Sequence, residues 1–207
     1  EIPVYTFGPI THNDIVVEDL KNKGVRVLDT IEEADRLTEG TVIIRAHGVP
    51  KQLNDRLCRK DENGTAILNV MDATCPFVKK IHEIVRKQGE EGRETVIFGD
   101  CNHPEVQGII GWCTGAYYVL KEEEEVLCFA PPSGTGLAIV AQTTYNYKKF
   151  QQFVEIILKK GYDSIVYDTI CNATEVRQTE AYEMAGQHDA MIVIGGKHSS
   201  NTRKLFE

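Results

Sequence analysis

Long apolar runs are missing from this sequence: nothing approaches the roughly 18 to 20 consecutive positions that a membrane-spanning helix requires. The opening EIPVYTFGPI lacks the charged and apolar blocks of a signal peptide. Both absences point to the cytoplasm. Positive charge is also short, with 23 Lys and Arg against 31 Asp and Glu and a formal net charge of −8, part of it in the run Lys121–Glu125. A general nucleic-acid or anionic-membrane surface is therefore excluded, and any anionic ligand needs a local pocket of cations or amides. Cysteine is too sparse for a disulfide scaffold, at six residues (58, 75, 101, 113, 128 and 171), so in a reducing compartment these are thiols, metal ligands or nucleophiles. An initiator Met is absent too, and the sequence stops at Asn201–Glu207 in what reads as the start of a helix. The expectation is a fragment, open at both ends.

What is present is α/β grammar. With 207 residues and 42% hydrophobic content the chain can build packed cores in one or two ordinary domains. Apolar runs of strand length (Thr41–Arg45, Ala66–Met71, Thr95–Phe98, Leu137–Val140, Ser164–Tyr167, Met191–Ile194) alternate with amphipathic stretches such as Phe77–Lys87 and Tyr147–Lys160. Most of these strands read as buried on both faces, as in a parallel sheet. Each strand runs into a polar tip: His47-Gly48, Asp72–Cys75, Asp100–Glu105, Gln142–Thr144, Asp168–Cys171 and Gly195–Asn201. In open α/β sheets ligands bind at the carboxyl ends of the strands, where these tips and helix starts converge.

Two of the tips share one pattern, a strand running into Asp-x-x-Cys and then a helix: Asp72-Ala-Thr-Cys75 and Asp168-Thr-Ile-Cys171. Related units could thus present two thiolates to one centre. Cys58 and Cys128 have no polar context and read as small buried hydrophobes. Three chemistries fit the paired cysteines. Zinc would need further ligands from scattered positions, because neither cysteine has a partner at C-x2-C spacing. A thiol phosphatase is suggested by Cys171-x5-Arg177, but the intervening Asn-Ala-Thr-Glu-Val has no glycine and carries a carboxylate that repels phosphate. An iron-sulfur cluster takes thiolates as its normal ligands, and Pro76 directly after Cys75 is a recurring companion of such a ligand.

Taken together, GPITHN at 8–13, RAHGV at 45–49, DATCPFVKK at 72–80, NHPEVQG at 102–108, AQTT at 141–144, TICNATEVRQ at 169–178 and GGKHSSNTRKL at 195–205 resemble the 4-hydroxy-3-methylbut-2-enyl diphosphate reductase family. The resemblance runs in family order across essentially the whole chain. It implies three α/β units with small, mostly parallel sheets around a pseudo-threefold axis, here 1–73, 74–167 and an incomplete third unit at 168–207. Each unit would give one cysteine to a central [4Fe-4S] cluster. Cys75 and Cys171 match two of those ligands, the third being expected in a GFC segment upstream of residue 1. A GAS-type segment closing the diphosphate pocket is expected after Glu207.

The implied reaction removes the hydroxyl of an allylic diphosphate with two electrons and two protons, giving water and the two isomeric C5 diphosphates, isopentenyl and dimethylallyl diphosphate. The cluster supplies the electrons and acts as Lewis acid, and the electron donor is expected to be ferredoxin- or flavodoxin-like, with no nucleic-acid or membrane partner. Residue by residue, Glu105 matches the proton donor and Thr143 a group that hydrogen-bonds the substrate hydroxyl or Glu105. His12, His47 and His103 match the diphosphate-binding histidines, and Ser199, Ser200 and Asn201 match further diphosphate donors. Cys101 and Cys113 are expected to be inert thiols. His198 has no assigned role.

Overall fold

The run Leu137–Ala141 is apolar at every position and buried at every position, which only a central strand covered on both faces can satisfy. The computed structural model describes residues 2–11, 13–132, 134–196 and 199–207. Its elements are β1 (Val4–Phe7), α1 (Asp14–Asn22), β2 (Arg26–Leu28), α2 (Ile31–Asp35), β3 (Thr41–Ile44), α3 (Lys51–Leu57), β4 (Asn69–Asp72), α4 (Pro76–Glu90), β5 (Glu94–Phe98), α5 (Pro104–Ile110), β6 (Tyr117–Leu120), α6 (Glu123–Cys128), β7 (Leu137–Ala141), α7 (Tyr147–Lys159), β8 (Ser164–Val166), α8 (Asn172–Ala185) and α9 (Ser200–Phe206).

Among the described residues the strands form two four-stranded sheets, ordered β2-β1-β3-β4 and β6-β5-β7-β8, with every pairing parallel. Parallel neighbours cannot be joined by tight hairpins, so each step needs a crossover segment, and the amphipathic stretches supply it. The α/β class and its parallel sheets are thus as the sequence leads one to expect.

In the second sheet β5 and β7 are covered on both sides. On one face Phe98 sits against Tyr145, Phe150 and Phe153, its ring centroid 5.7 to 6.2 Å from theirs. On the other, Ile97 and Val140 meet Ile81 and Val85 of α4 and Val106 and Ile109 of α5. The first sheet closes on Val42, Ile44, Leu53 and Leu57. Beyond the last ladder residue of β8, the Thr169 hydroxyl accepts from the Ala141 N–H (2.8 Å) and donates to the Ala141 carbonyl (2.7 Å). A side chain thereby satisfies two strand-end groups that would otherwise be buried without partners.

Several expectations need correction. Met191–Ile194 forms no strand, and Ile192 and Ile194 are 86% and 91% exposed. A strand requires a partner ladder, and among the described residues no strand lies beside this segment. Residues 168–207 accordingly contribute two helices, α8 and α9, and no sheet among the described residues. The edge strands β4 and β8 are largely exposed rather than covered on both faces. Cys58 and Cys128 are exposed instead of buried, because they sit at the ends of the short helices α3 and α6.

The aromatic cluster on Phe98 carries the second sheet. Phe98→Ala is expected to lower unfolding free energy by about 3 to 5 kcal/mol, measured as a shift of the urea midpoint at unchanged slope.

Candidate active site

Glu105 is the second residue of α5, and only 3% of its surface is exposed. Two donors from the end of β7 hold it: the Thr143 N–H to Oε1 at 2.6 Å and the Thr143 hydroxyl to Oε2 at 2.8 Å. Burial raises its proton affinity above the ordinary Glu range, against the pull of both hydrogen bonds. A carboxyl so placed keeps a proton that an exposed Glu would have lost, and it has a hydroxyl beside it through which to pass it.

His103 caps α5, its Nδ1 accepting the Glu105 N–H at 3.2 Å. An accepting Nδ1 carries no proton, which assigns the proton of the neutral ring to Nε2 and makes that nitrogen a donor. The His47 ring meets the His103 ring edge-on, with centroids 5.5 Å apart. This contact joins the tips of the two sheets. His47 is followed by Gly48 at φ +71°, where a Cβ would come within 2.7 Å of His82 Cε1, so both the backbone conformation and the space demand glycine. His82 is buried behind this loop, stacked on Trp112 with centroids 5.3 Å apart, and Trp112 Nε1 donates to the Val49 carbonyl at 2.9 Å. Burial lowers the His82 pKa to about 4, so its imidazole stays neutral.

The cysteines attach to the same rim through the backbone. Cys75 N–H donates to the Ala46 carbonyl, one residue before His47 (3.0 Å), and Cys171 N–H donates to the Thr143 carbonyl (2.9 Å). Each occupies the N-cap of a long helix, α4 or α8, and neither makes a side-chain capping bond. Both thiols are half-buried and free of disulfides. That donor set fits two thiolate positions of a [4Fe-4S] cluster. The other cysteines do not extend it: Cys113 donates to the Ile109 carbonyl, and burial pushes its thiol up to about 11, while Cys101 is exposed. Among the described residues no three His, Cys, Asp or Glu side chains are grouped to hold a metal ion. The phosphatase reading loses its geometry, since Arg177 lies inside α8, which begins directly after Cys171, and no loop remains to cradle a phosphate.

Ser199 caps α9, its hydroxyl accepting the Thr202 N–H at 3.3 Å, and Ser200 bonds the Thr144 hydroxyl at 2.8 Å. The Oδ1 of Asn201 is buried and meets no hydrogen-bond donor among the described residues. Ser199 and Ser200 line a cleft of about 300 Å³ with Asp100, His103, Gln142 and Lys121. His12 lies outside the described residues.

A protein-family profile described as LytB protein matches residues 1–207. The chain belongs to the LytB family. A relative in Thermoanaerobacter sp. (strain X514), named 4-hydroxy-3-methylbut-2-enyl diphosphate reductase, is 46% identical over 203 residues, 98% of this chain and 67% of that protein. One of the same name in Geotalea daltonii is 42% identical over 203 residues, 98% of this chain and 68% of that protein. The solved E-1-hydroxy-2-methyl-but-2-enyl-4-diphosphate reductase of Plasmodium falciparum superposes with a TM-score of 0.86 at 28% identity, over 99% of this chain and 63% of that one. A second solved structure, of the (E)-4-hydroxy-3-methyl-but-2-enyl diphosphate reductase described as the terminal enzyme of the non-mevalonate pathway, gives a TM-score of 0.69 at 40% identity, over 100% of this chain and 70% of that one. The chain thus spans about two thirds of the length of these LytB-family relatives.

Two residues at this LytB rim escaped the sequence reading, Gln142 and Thr144. The Gln142–Thr144 tip is visible in the sequence, but which of its side chains face Ser200 is decided by the exit angle of β7.

The buried carboxyl has a measurable signature. The folded chain keeps Glu105 protonated to higher pH than the unfolded chain, so it binds more protons in that window. Its stability contribution is whole below the ordinary Glu value of 4.5 and is lost as pH rises through the raised folded value. Glu105→Gln is expected to abolish that loss, its melting temperature gaining on the parent as pH rises from about 4 to about 8. Parallel curves for the two proteins would refute the assignment.

Proposed function

We propose that this chain carries the catalytic centre of a 4-hydroxy-3-methylbut-2-enyl diphosphate reductase. The observation that carries the reading is the buried Glu105, held by both donors of Thr143 beside His103, its proton affinity raised by burial. In the overall reaction the allylic C–O bond breaks, two electrons and two protons enter, and water leaves with either isopentenyl or dimethylallyl diphosphate.

A [4Fe-4S] cluster held by Cys75, Cys171 and a third cysteine expected upstream of residue 1 would supply the two electrons and the Lewis acidity at the allylic hydroxyl. The remaining work falls to the chain. Glu105 holds one proton at its carboxyl and delivers it to the substrate; the Thr143 hydroxyl relays or orients it by switching its hydrogen bond between Oε2 and the substrate hydroxyl. His47 and His103 bind the diphosphate from the two sheet tips, His103 donating through Nε2, with His12 as a third histidine. Ser199, Ser200 and Asn201 close on it from α9. The electron donor is a small ferredoxin- or flavodoxin-like protein, and the enzyme works in the cytoplasm; among the described residues no helix is long and apolar enough to cross a membrane.

A chain extended upstream to include the family's first cysteine, reconstituted anaerobically with iron and sulfide, is expected to show a broad visible iron-sulfur absorbance. A reduced cluster should be reoxidised on adding substrate. In that protein Glu105→Gln should keep the absorbance while kcat falls by at least about 100-fold, the scale of a lost general acid. A colourless protein carrying stoichiometric zinc would refute the reading.

A further inference from the structure

The Gln142 side chain is 3% exposed, and three neighbours fix its orientation. Its Oε1 accepts the Asp100 N–H at 3.3 Å, so the amide cannot flip without setting Nε2 against that backbone donor. Nε2 therefore faces the other way, donating to Thr144 Oγ1 at 3.0 Å and to Ser200 Oγ at 3.4 Å. The Thr144 hydroxyl in turn donates its proton to Ser200 Oγ, at 2.8 Å. Ser200 Oγ thus accepts twice. Both acceptor sites of a hydroxyl are then used, and the one group Ser200 has left to offer is its O–H.

We propose that Gln142 and Thr144 are positioning residues that impose one hydrogen-bond polarity on Ser200, making it an obligate donor to the diphosphate in the adjoining cleft. The inference rests on the reading of Ser200 as a diphosphate contact and deepens it. A serine free to rotate must give up that freedom before its proton faces a phosphate oxygen. One whose lone pairs are taken has only its proton to present. The direction originates in a backbone N–H, which cannot reverse, and it passes through an amide whose two ends differ. The same relay ties the end of β7 to α9, so the donor is aimed only while that helix is docked.

Three variants of the full-length holoprotein test this, read by calorimetric titration with inorganic pyrophosphate and by steady-state kinetics. Gln142→Glu keeps the shape but replaces the donor with an acceptor, inviting the Thr144 and Ser200 protons inward. Thr144→Val keeps the volume and removes the relay, and Thr144→Ser keeps the relay. The first two are expected to weaken pyrophosphate binding by about tenfold or more, the loss of one hydrogen bond to a charged group. They should raise KM by a similar factor with kcat little changed. Thr144→Ser should stay within about twofold of the parent. If Gln142→Glu does not fold, the valine and serine variants decide between them. Parental binding by Gln142→Glu or Thr144→Val would overturn the inference and leave the function standing. Failure of the parent itself to bind pyrophosphate would overturn both.

Discussion

A carboxyl group with 3% of its surface exposed must find donors or give up its charge, and Glu105 is placed so that both pressures act on it. Burial wins over the two hydrogen bonds, and the group is driven toward its protonated form. That balance constrains much of the molecule. Thr143 can serve Oε1 with its N–H because it lies beyond the end of β7 at Ala141, one residue past the Gln142 N–H, which still bonds the Phe98 carbonyl of β5. The Glu105 N–H is available to His103 because it lies in the first turn of α5, where backbone donors have no intrahelical partner. Cys171 then follows from the same point, its amide on the carbonyl of Thr143.

The two sheets bring complementary halves to this carboxyl. The first supplies His47 and, through Ala46, the backbone position of Cys75; the second supplies His103, Glu105 and Thr143. Their junction is made of close packing: Gly48 against His82, Trp112 on the Val49 carbonyl, and Pro50 over Gly111, where a Cβ would fall 2.4 Å from the proline's Cβ. Glycine at positions 48 and 111 is what lets the histidine rings meet. A buried neutral imidazole at residue 82, stacked on Trp112, fills the space behind them.

How much of this could be read beforehand depended on length and context. β5, β7 and α7 are long, apolar or strongly amphipathic, and their edges fall within a residue or so of what pattern implies. The short β1 and β2 were not legible, because a strand of three or four residues is made by its neighbours in the ladder rather than by its own sequence. Met191–Ile194 shows the converse, an apolar run of strand length that has no partner strand among the described residues and forms none itself. The site residues were legible as motifs, and their chemistry followed from resemblance; their mutual geometry did not. Nothing in the sequence says that both donors of Thr143 reach Glu105, or that Gln142 faces Ser200 rather than solvent, since these depend on how the β7 exit is turned by pairing with β5 and β8.

The net charge of −8 sharpens the question of how the proposed site would hold a diphosphate. The cations at the cleft are already engaged: Lys121 lies 2.9 Å from Asp100, Lys149 3.7 Å from Glu122, and Arg203 and Lys204 both face Glu207. On the proposed reading, recognition falls largely to serine, asparagine and the Nε2–H of His103, donors whose attraction for an anion depends on direction as a full charge's does not. A misdirected ammonium still attracts phosphate, whereas a misdirected hydroxyl repels it with its lone pair. Such donors consequently need a rigid support, and three of them have one here: Nδ1 of His103 is bound to an α5 amide, Ser199 is committed to its helix, and Ser200 is held through Thr144 and Gln142 to the Asp100 backbone. Orientation substitutes for charge, and it does so only where strand ends and helix starts, the most fixed points of an α/β fold, supply the anchors.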